Sequence, residues 1–385
     1  MRSMSRRTSR PRASTRRGLL AVWAVFGLLL ATGSGNAADS DGWRLFRSGP
    51  ALTGVLDAQL PQQLEAQWMF EAGDSIESSA AIVDGRVFFG SLDGHLYALD
   101  LATGAELWRF ATAMEVKSSP SVFEDTVYFG DESGAFHALD AATGEQRWVV
   151  ETGGGIISAA NYSDGILVFG SYDNNLYAVN AREGSVRWAI TTNGYVNGTP
   201  AIVAGHVISV GCDGVLRVVG LDDGAILQTF EIGAYVAASP AIRDNIAYFG
   251  TFENQVLAVD LADGGGGWIY EHPKRKFPYY SSAAVTEDTV VLGGRDKMIH
   301  AIARGTGEPR WTYTSRARVD SSPVVLGDRV VIGGSSGDLV ILDLKTGDLV
   351  WQFETGSSIV ATPAISDGRI VVGTEDGVLY CFGQD

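Results

Sequence analysis

The sequence predicts an all-β protein, an eight-bladed β-propeller whose blades are four-stranded antiparallel sheets. Tryptophan recurs every 40 residues over most of the chain, and a period of this size is typical of repeat architectures. Turns that contain glycine interrupt the chain every six to ten residues. The segments between them are too short for helices and rich in Val, Ile, Phe and Tyr, which favour strands. The periodic tryptophans are Trp68, Trp108, Trp148, Trp188, Trp268, Trp311 and Trp351.

The unit at residues 78–112 shows how one blade is built. Asp84-Gly85 predicts a two-residue hairpin turn, because Asp-Gly tolerates the positive φ that this turn requires. Two further glycine turns follow at 93–94 and 103–104. Four-stranded units repeated at this period are the blades of a propeller. The four strands are expected at 79–83, 86–91, 95–100 and 105–112.

The two ends of the chain are expected to share one blade. Counting gives eight sets of first-to-third strands, but only seven outer strands follow a third turn. The segment 64–73 carries Trp68 in phase and supplies the missing outer strand. We predict that this N-terminal strand closes the ring by completing the last blade, which removes an open sheet edge.

Each periodic tryptophan is expected to dock in the seam between two blades. Burying one tryptophan removes ~150–250 Å² from water, a gross gain of at most ~4–6 kcal/mol at ~25 cal/mol/Å². Because regular spacing places these residues at equivalent positions in successive seams, we interpret them as structural. Gln228 stands where the period places a tryptophan, and it predicts one weaker seam.

Residues 1–37 have the three parts of a secretory signal peptide. Seven arginines and no acidic residue precede an apolar run at 18–31, and small residues follow it. The run has 14 residues, whereas a spanning helix needs about 20, so cleavage is expected and a retained membrane anchor is the alternative. Arg16-Arg17 leaves Sec and twin-arginine export both open. No cysteine lies near the cleavage site, so a lipoprotein is not expected.

The predicted mature protein consists of a lead-in segment at 38–61 and the propeller at 62–385, and it is strongly acidic. The whole chain has 29 basic and 45 acidic side chains, and loss of the seven leader arginines leaves a net charge of −23. Such a surface repels phosphate backbones, so nucleic-acid binding is not expected. Cys212 and Cys381 fall in the fourth and eighth units, on opposite sides of the ring, so we expect two reduced, largely buried thiols.

The segment 98–108 resembles the tryptophan docking motif of the pyrroloquinoline-quinone (PQQ) repeat family. Residues 138–148 match the same pattern, and residues 341–351 differ at their first position. Residues 43–50 resemble the tryptophan–arginine stretch before the first blade of many secreted members. The resemblance implies an eight-bladed propeller of the non-catalytic branch, similar to the propeller subunit of the outer-membrane β-barrel assembly machinery.

No catalytic, cofactor-binding or metal-binding residue is predicted, and no cofactor is expected. The quinoprotein dehydrogenases of this family hold a calcium-bound quinone and usually carry adjacent cysteines. Here the two cysteines are 169 positions apart, and no cluster of Glu, Asn and Asp outside the turns would coordinate a hard cation. His137 and His300 share a strand position but lie in opposite blades, so they are not expected to bind one metal.

The main irregularity of the repeat is an insertion of three residues between Trp268 and Ser281. We expect an elongated loop there, held by two prolines. On an acidic protein, a rigid loop of cations and aromatic rings is a candidate contact for an anionic partner, whereas a merely solvated loop is the alternative. Its candidate contact residues are Lys274, Arg275, Lys276, Phe277, Tyr279 and Tyr280.

Equivalent loops end just before each inner strand and should surround one mouth of the central channel. Their last residues vary far more than the turns do, as expected if this face binds a ligand or a protein; an unconstrained surface is the alternative. Arg316 and Arg318 add cations nearby. The mouth residues are Glu77, Lys117, Ile157, Asn197, Ala237, Tyr280, Asp320 and Val360.

These features predict an exported, monomeric scaffold without catalytic activity and without a membrane span after cleavage. It would bind protein partners in the periplasm or cell envelope, with a role in outer-membrane protein assembly as the specific form that the resemblance implies. Two alternatives remain open, a PQQ-dependent quinoprotein and a carbohydrate-binding propeller that recognises glycans.

Overall fold

The computed structural model of the protein describes residues 42–61, 63–265 and 267–384. These residues form eight sheets, each built on four antiparallel strands, and their helical content is a single 3₁₀ turn at Phe46–Ser48. The predicted signal peptide at 1–37 lies outside the described residues. Within the described ranges, no helix is both long and apolar enough to cross a membrane.

Each sheet is one blade, numbered here in chain order, and its strands run from the inner to the outer edge. Blade 1 comprises Ala81–Val83, Arg86–Ser91, His95–Asp100 and Glu106–Ala111; blade 2 Ser121–Phe123, Thr126–Gly130, Ala135–Asp140 and Gln146–Glu151; blade 3 Asn161–Ser163, Ile166–Gly170, Asn175–Asn180 and Val186–Thr191; blade 4 Ala201–Val203, His206–Val210, Val215–Gly220 and Ile226–Glu231. Blade 5 comprises Ala241–Arg243, Ile246–Gly250, Gln255–Asp260 and Ile269–Glu271; blade 6 Ala284–Val285, Thr289–Gly294, Met298–Ala303 and Pro309–Thr314; blade 7 Val324–Leu326, Arg329–Gly333, Asp338–Asp343 and Leu349–Glu354; blade 8 Ala364–Ser366, Arg369–Gly373, Val378–Gly383 and, as its outer strand, Glu65–Glu71.

The N-terminal strand closes the ring, as predicted. Glu65–Glu71 pairs antiparallel with Val378–Gly383, and Trp68 lies opposite Cys381. The last blade therefore takes three strands from one end of the chain and its outer strand from the other. Cys381 is buried in blade 8, Cys212 is partly buried in blade 4, and both are free thiols.

The periodic tryptophans lie in the seams between blades, where the sequence places them. In five blades the indole Nε1 donates to the main-chain carbonyl that lies 33 positions later, at 2.8–3.2 Å. Trp268 bonds to Arg304 instead, because three inserted residues separate the two blades. The third-turn glycine of the next blade leaves room for the ring: a Cβ at Gly104, whose φ is +71°, would overlap Trp68.

The lead-in segment is threaded through the centre of the ring. It forms main-chain hydrogen bonds with the inner strands of six blades, starting with Trp43 and Ile82 of blade 1 and ending with Gly54 and Val325 of blade 7. Val55–Leu56 then pairs in parallel with Val325–Leu326 as a fifth strand. Inner strands would otherwise present unpaired N–H and C=O groups to the channel, and this segment satisfies many of them.

Arg47 lies within the channel and is completely buried. Its guanidinium donates to three main-chain carbonyl oxygens, those of Leu52 at 3.4 Å, Ala283 at 2.5 Å and Pro323 at 2.8 Å. Burial lowers the pKa of Arg47 to about 9. This side chain ties the lead-in segment to blades 6 and 7.

Candidate protein-binding face

Strand direction sorts the connections of the propeller onto two faces. The strands within each blade are antiparallel, so the loop from an outer strand to the next inner strand emerges on the same side as the second turn of each blade. We call this side the loop face. The first and third turns, such as Asp84-Gly85 and Thr103-Gly104, lie on the opposite side, which we call the turn face.

A belt of hydroxyl groups joins the blades at the channel mouth of the loop face. Six main-chain N–H groups each donate to the hydroxyl of the neighbouring blade, as Ser79 N does to Ser119 Oγ at 3.0 Å. The sequence signal for this belt is a pair of small residues just before most inner strands, such as Ser78-Ser79. The belt therefore fixes the rim from which the candidate loops project. The accepting residues are Ser79, Ser119, Thr199, Ser239, Ser282 and Ser322.

Seven of the eight predicted mouth residues surround one cavity of about 180 Å³ on the axis, with Phe46 of the lead-in segment beside them. Asp320 is outside this set, and its carboxylate is held by Arg295 at 2.9 Å and by Arg318 at 3.2 Å. The seven are Glu77, Lys117, Ile157, Asn197, Ala237, Tyr280 and Val360.

The mouth has few charged side chains, and their charges nearly cancel. Lys117 Nζ lies 3.0 Å from a carboxylate oxygen of Glu132. Burial raises the pKa of Glu77, although the nearby Lys117 ammonium acts in the opposite direction. Glu77 is the only carboxylate among the described residues that line the cavity. Ca²⁺ takes six to eight oxygen ligands, so a calcium-bound quinone at this cavity would depend mainly on neutral oxygen ligands.

Aromatic rings cluster on the loop face over blades 3 to 6. Tyr172 stacks on Tyr195, with ring centroids 4.6 Å apart, and its hydroxyl donates to Asn197 Oδ1 at 2.9 Å. Phe252 packs against Tyr280 at 4.6 Å. We call these four rings and Tyr235 the aromatic arc. Tyr235 is 63% exposed and Tyr195 is 50% exposed, so the arc faces solvent. Sequence reasoning missed most of it, since each ring stands in a different connection.

The inserted loop between blades 5 and 6 is held in a fixed position. His272 Nδ1 accepts the main-chain N–H of Arg275 at 3.1 Å, and the Arg275 guanidinium donates to the Asp296 carbonyl oxygen at 2.6 Å. Burial, with the adjacent His300 ring, lowers the pKa of His272, which favours the neutral ring that accepts this bond. Arg275 thus has a structural role that the sequence did not reveal.

The exposed end of this loop carries the remaining candidate residues. Lys274 and Lys276 are exposed, and Phe277 is 49% exposed. Tyr279 is completely buried and packs over Gly250, where a Cβ would overlap it. The structure therefore corrects its assignment as a contact residue. Tyr279 occupies the apolar position that Val116 and Ile156 fill in other loops, and the hydrophobic effect keeps it in the core.

Two arginines of the next loop are already engaged within the protein. Arg316 forms ion pairs with Asp338 and with Glu354, the latter at 3.0 Å. Arg318 pairs with Asp320. Arg295, which sequence reasoning did not select, lies over the Tyr280 ring at 3.4 Å from its centroid and extends the aromatic surface. In the part of the chain that the structure describes, no three His, Cys, Asp or Glu side chains are grouped so as to hold a metal ion.

A family model described as outer membrane protein assembly factor BamB matches residues 58–160, 151–295 and 295–385. No curated protein matches the sequence. Among solved structures, BamB from Moraxella catarrhalis superimposes with a TM-score of 0.70 at 20% identity, over 84% of this chain and 98% of that one.

Two further solved structures share the fold. The computationally designed Ika8 protein has a TM-score of 0.72 at 19% identity, covering 82% of this chain and 98% of its own. The quinohemoprotein alcohol dehydrogenase from Comamonas testosteroni has a TM-score of 0.78 at 14% identity, covering 91% of this chain and 82% of its own. A designed protein, an assembly factor and an enzyme are all similar in architecture, so the fold alone does not determine function.

Proposed function

The chain belongs to the family of the outer membrane protein assembly factor BamB, and on this premise we propose that it is an exported, non-catalytic scaffold that binds a protein partner in the periplasm or cell envelope. The binding surface is the aromatic arc together with Lys274, Lys276 and Phe277 of the inserted loop. We call this combined surface the binding arc. A role in outer-membrane protein assembly is the specific form that we propose.

The observation that carries this proposal is the concentration of exposed aromatic rings on one sector of the loop face. Tyrosine and phenylalanine are enriched in protein interfaces, because each presents a large area with few rotatable bonds. Tyr195, Tyr235 and Phe277 are all about half exposed or more. The same sector includes Arg295 over Tyr280, and arginine too is enriched at interfaces.

Charge indicates what kind of partner fits this surface. The predicted mature chain has a net charge of −23, yet none of the ion pairs among the described residues includes Lys274 or Lys276. Unpaired cations beside exposed rings favour a partner with an acidic patch next to apolar side chains. Anchoring of the loop by Arg275 and His272 lowers the ordering cost of binding.

The cavity on the axis supports a non-catalytic role. Its single carboxylate, Glu77, is a poor donor set for a calcium-bound quinone, and the lead-in segment occupies the channel beneath it. We propose that the propeller works without a quinone and that binding takes place on the loop face.

The test compares two triple variants that carry matched substitutions on opposite faces. The first, K274Q/K276Q/F277S, alters the binding arc and leaves Arg275 in place. The second, R182Q/K345Q/L349S, removes two exposed cations and one exposed apolar side chain from the turn-face side. Each purified protein is immobilised and exposed to a solubilised envelope extract, and the retained proteins are quantified by mass spectrometry.

We expect the loop-face variant to capture at least about tenfold less partner than the wild type does. This difference corresponds to about 1.4 kcal/mol of binding free energy. Its melting temperature should match that of the wild type, because the altered side chains are exposed. The turn-face variant should capture as much partner as the wild type. Equal capture by the wild type and the loop-face variant would refute the proposal.

A further inference from the structure

One seam of the propeller lacks the tryptophan that fills the others. The outer strand of blade 4 carries Gln228 at this position. Its Nε2 reaches the Ala262 carbonyl oxygen at 3.4 Å, a long hydrogen bond, whereas Trp188 Nε1 bonds to Leu221 at 2.8 Å in the preceding seam. The seam between blades 4 and 5 is therefore the one where an indole is replaced by a short polar chain.

An open cleft of about 440 Å³ lies in this seam, between blades 4 and 5. This volume is within the usual range for pockets that bind small molecules. Leu227, which is 51% exposed, stands at the outer rim. Apolar side chains of both blades line the cleft, among them Val203, Ile208 and Val218 of blade 4 and Ile242 and Leu261 of blade 5.

Two other seams also have surface clefts, but there the tryptophan is present. The clefts of about 430 and 360 Å³ contain Trp148 and Trp351, respectively, in their walls. In each of these two seams, a tryptophan of the chain itself thus already occupies the position of the indole. Only at Gln228, among the seams that the structure describes, is the tryptophan position taken by another residue.

The walls of the Gln228 cleft are fixed by main-chain hydrogen bonds. Ile242 N donates to Ala51 of the lead-in segment at 2.8 Å, and Leu261 N donates to Asn245 at 2.9 Å. Phe230 covers Gly264, the third-turn glycine that contacts a tryptophan in other seams. Phe230 therefore replaces part of the indole contact, and the outer part of the cleft stays open.

One main-chain carbonyl in this seam also lacks the indole donor that its equivalents have in other seams. In five seams the carbonyl 33 positions after the tryptophan accepts the indole N–H. The equivalent carbonyl here belongs to Leu261, and no donor among the described residues bonds to it. The cleft, which His206 and Asn245 also line, thus combines largely apolar walls with an acceptor at the repeat position that accepts an indole N–H in five other seams.

We propose that the cleft between blades 4 and 5 is a second binding site, which receives a tryptophan side chain from a partner polypeptide. The chemistry of the occupant follows from the other seams of the same molecule, where an indole fills the equivalent position and donates to the equivalent carbonyl. The site lies on the outer rim and is separate from the binding arc. This proposal does not depend on the proposed function, so a negative result for one leaves the other unaffected.

The test uses N-acetyl-tryptophanamide as the probe and methyl NMR spectra of the complete mature protein as the readout. Wild-type protein should show saturable shifts of the methyl groups of Val203, Val218, Ile242 and Leu261. Gln228→Ala keeps the cleft open and should bind the probe at least as tightly. Gln228→Trp supplies the indole within the chain, so it should abolish the shifts and raise the melting temperature by at least about 2 °C.

Two controls make the result decisive. N-acetyl-leucinamide has no indole N–H and should bind at least about fivefold more weakly than the tryptophan probe. The variant Trp188→Gln opens an equivalent seat in the neighbouring seam, and the probe should shift methyl groups there as well. Absence of shifts in the wild type, or equal shifts in the wild type and Gln228→Trp, would overturn the proposal.

Discussion

The Arg47 guanidinium donates a hydrogen bond to the Pro323 carbonyl oxygen at 2.8 Å and so joins two residues that are 276 positions apart in sequence. The contact lies inside the channel, where the lead-in segment runs past the inner strands. The segment before the first blade is therefore an integral part of the propeller. It occupies the channel beneath the cavity that the loop-face mouth residues surround.

The first prediction concerns Arg47. Replacement by Met should lower the free energy of unfolding by about 2–4 kcal/mol, because the carbonyls of Ala283 and Pro323 lose their donor within the protein. Urea denaturation of the mature protein measures the change. Arg182→Met, on an exposed turn, is the control and should alter stability by less than about 0.5 kcal/mol. An equally small effect at Arg47 would refute its structural role.

The second prediction concerns the seams. Trp188 is the most buried of the docked tryptophans, and its Nε1 bonds to Leu221 at 2.8 Å. Trp188→Gln should therefore lower the free energy of unfolding by about 3–5 kcal/mol, as large core deletions do. Gln228→Ala should change it by less than about 0.5 kcal/mol, because this side chain is exposed. Similar values for both variants would mean that the indoles do not stabilise the ring.

The third prediction concerns acid stability. Burial acts to raise the pKa of Asp213, but hydrogen bonds and the charge of Arg217 outweigh it and lower the pKa below its usual value. A carboxylate with a lowered folded-state pKa stabilises the protein above its unfolded-state pKa of about 3.9, and this stabilisation is lost as the pH falls through the folded-state value.

The measurement compares wild type with Asp213→Asn by urea denaturation across this range. The variant should be less stable by about 1–3 kcal/mol at about pH 7. The difference should shrink progressively below about pH 4, where the wild-type carboxylate takes up a proton. A difference that does not depend on pH would show that the Asp213 charge is not responsible.

The fourth prediction concerns quinone binding. Addition of PQQ and Ca²⁺ should leave the melting temperature of the mature protein unchanged, because the axial cavity offers only Glu77 as a carboxylate ligand. No dye reduction with alcohols or sugars should appear. A ligand that binds only the folded state would raise the melting temperature. Such an increase, or substrate oxidation, would favour the enzymatic alternative.

The sequence was sufficient for those features that repeat locally. The strands expected at 86–91 and 95–100 have those bounds in blade 1, and the strand carrying Trp68 closes the ring. Turn glycines and in-phase tryptophans determine both results, since each depends on residues close together in one unit.

Features that depend on contacts between distant units were not predictable in this way. The path of the lead-in segment rests on hydrogen bonds such as that of Thr53 with Val285, which no local pattern encodes. Tyr279 appeared as one ring in an aromatic run, yet its place beneath the loop is set by the space above Gly250 in the preceding blade. The aromatic arc likewise exists only once the ring has closed.

The central claim is that the binding arc contacts a protein partner, and site-specific photo-crosslinking in the native envelope tests it most directly. A photoreactive amino acid is placed at Tyr235 or Phe277 on the loop face and, as the control, at Glu183 on the turn face. We predict one discrete cross-linked protein shared by the two loop-face positions and absent at Glu183. Adducts of equal yield at all three positions, or none at Tyr235 and Phe277, would contradict the account.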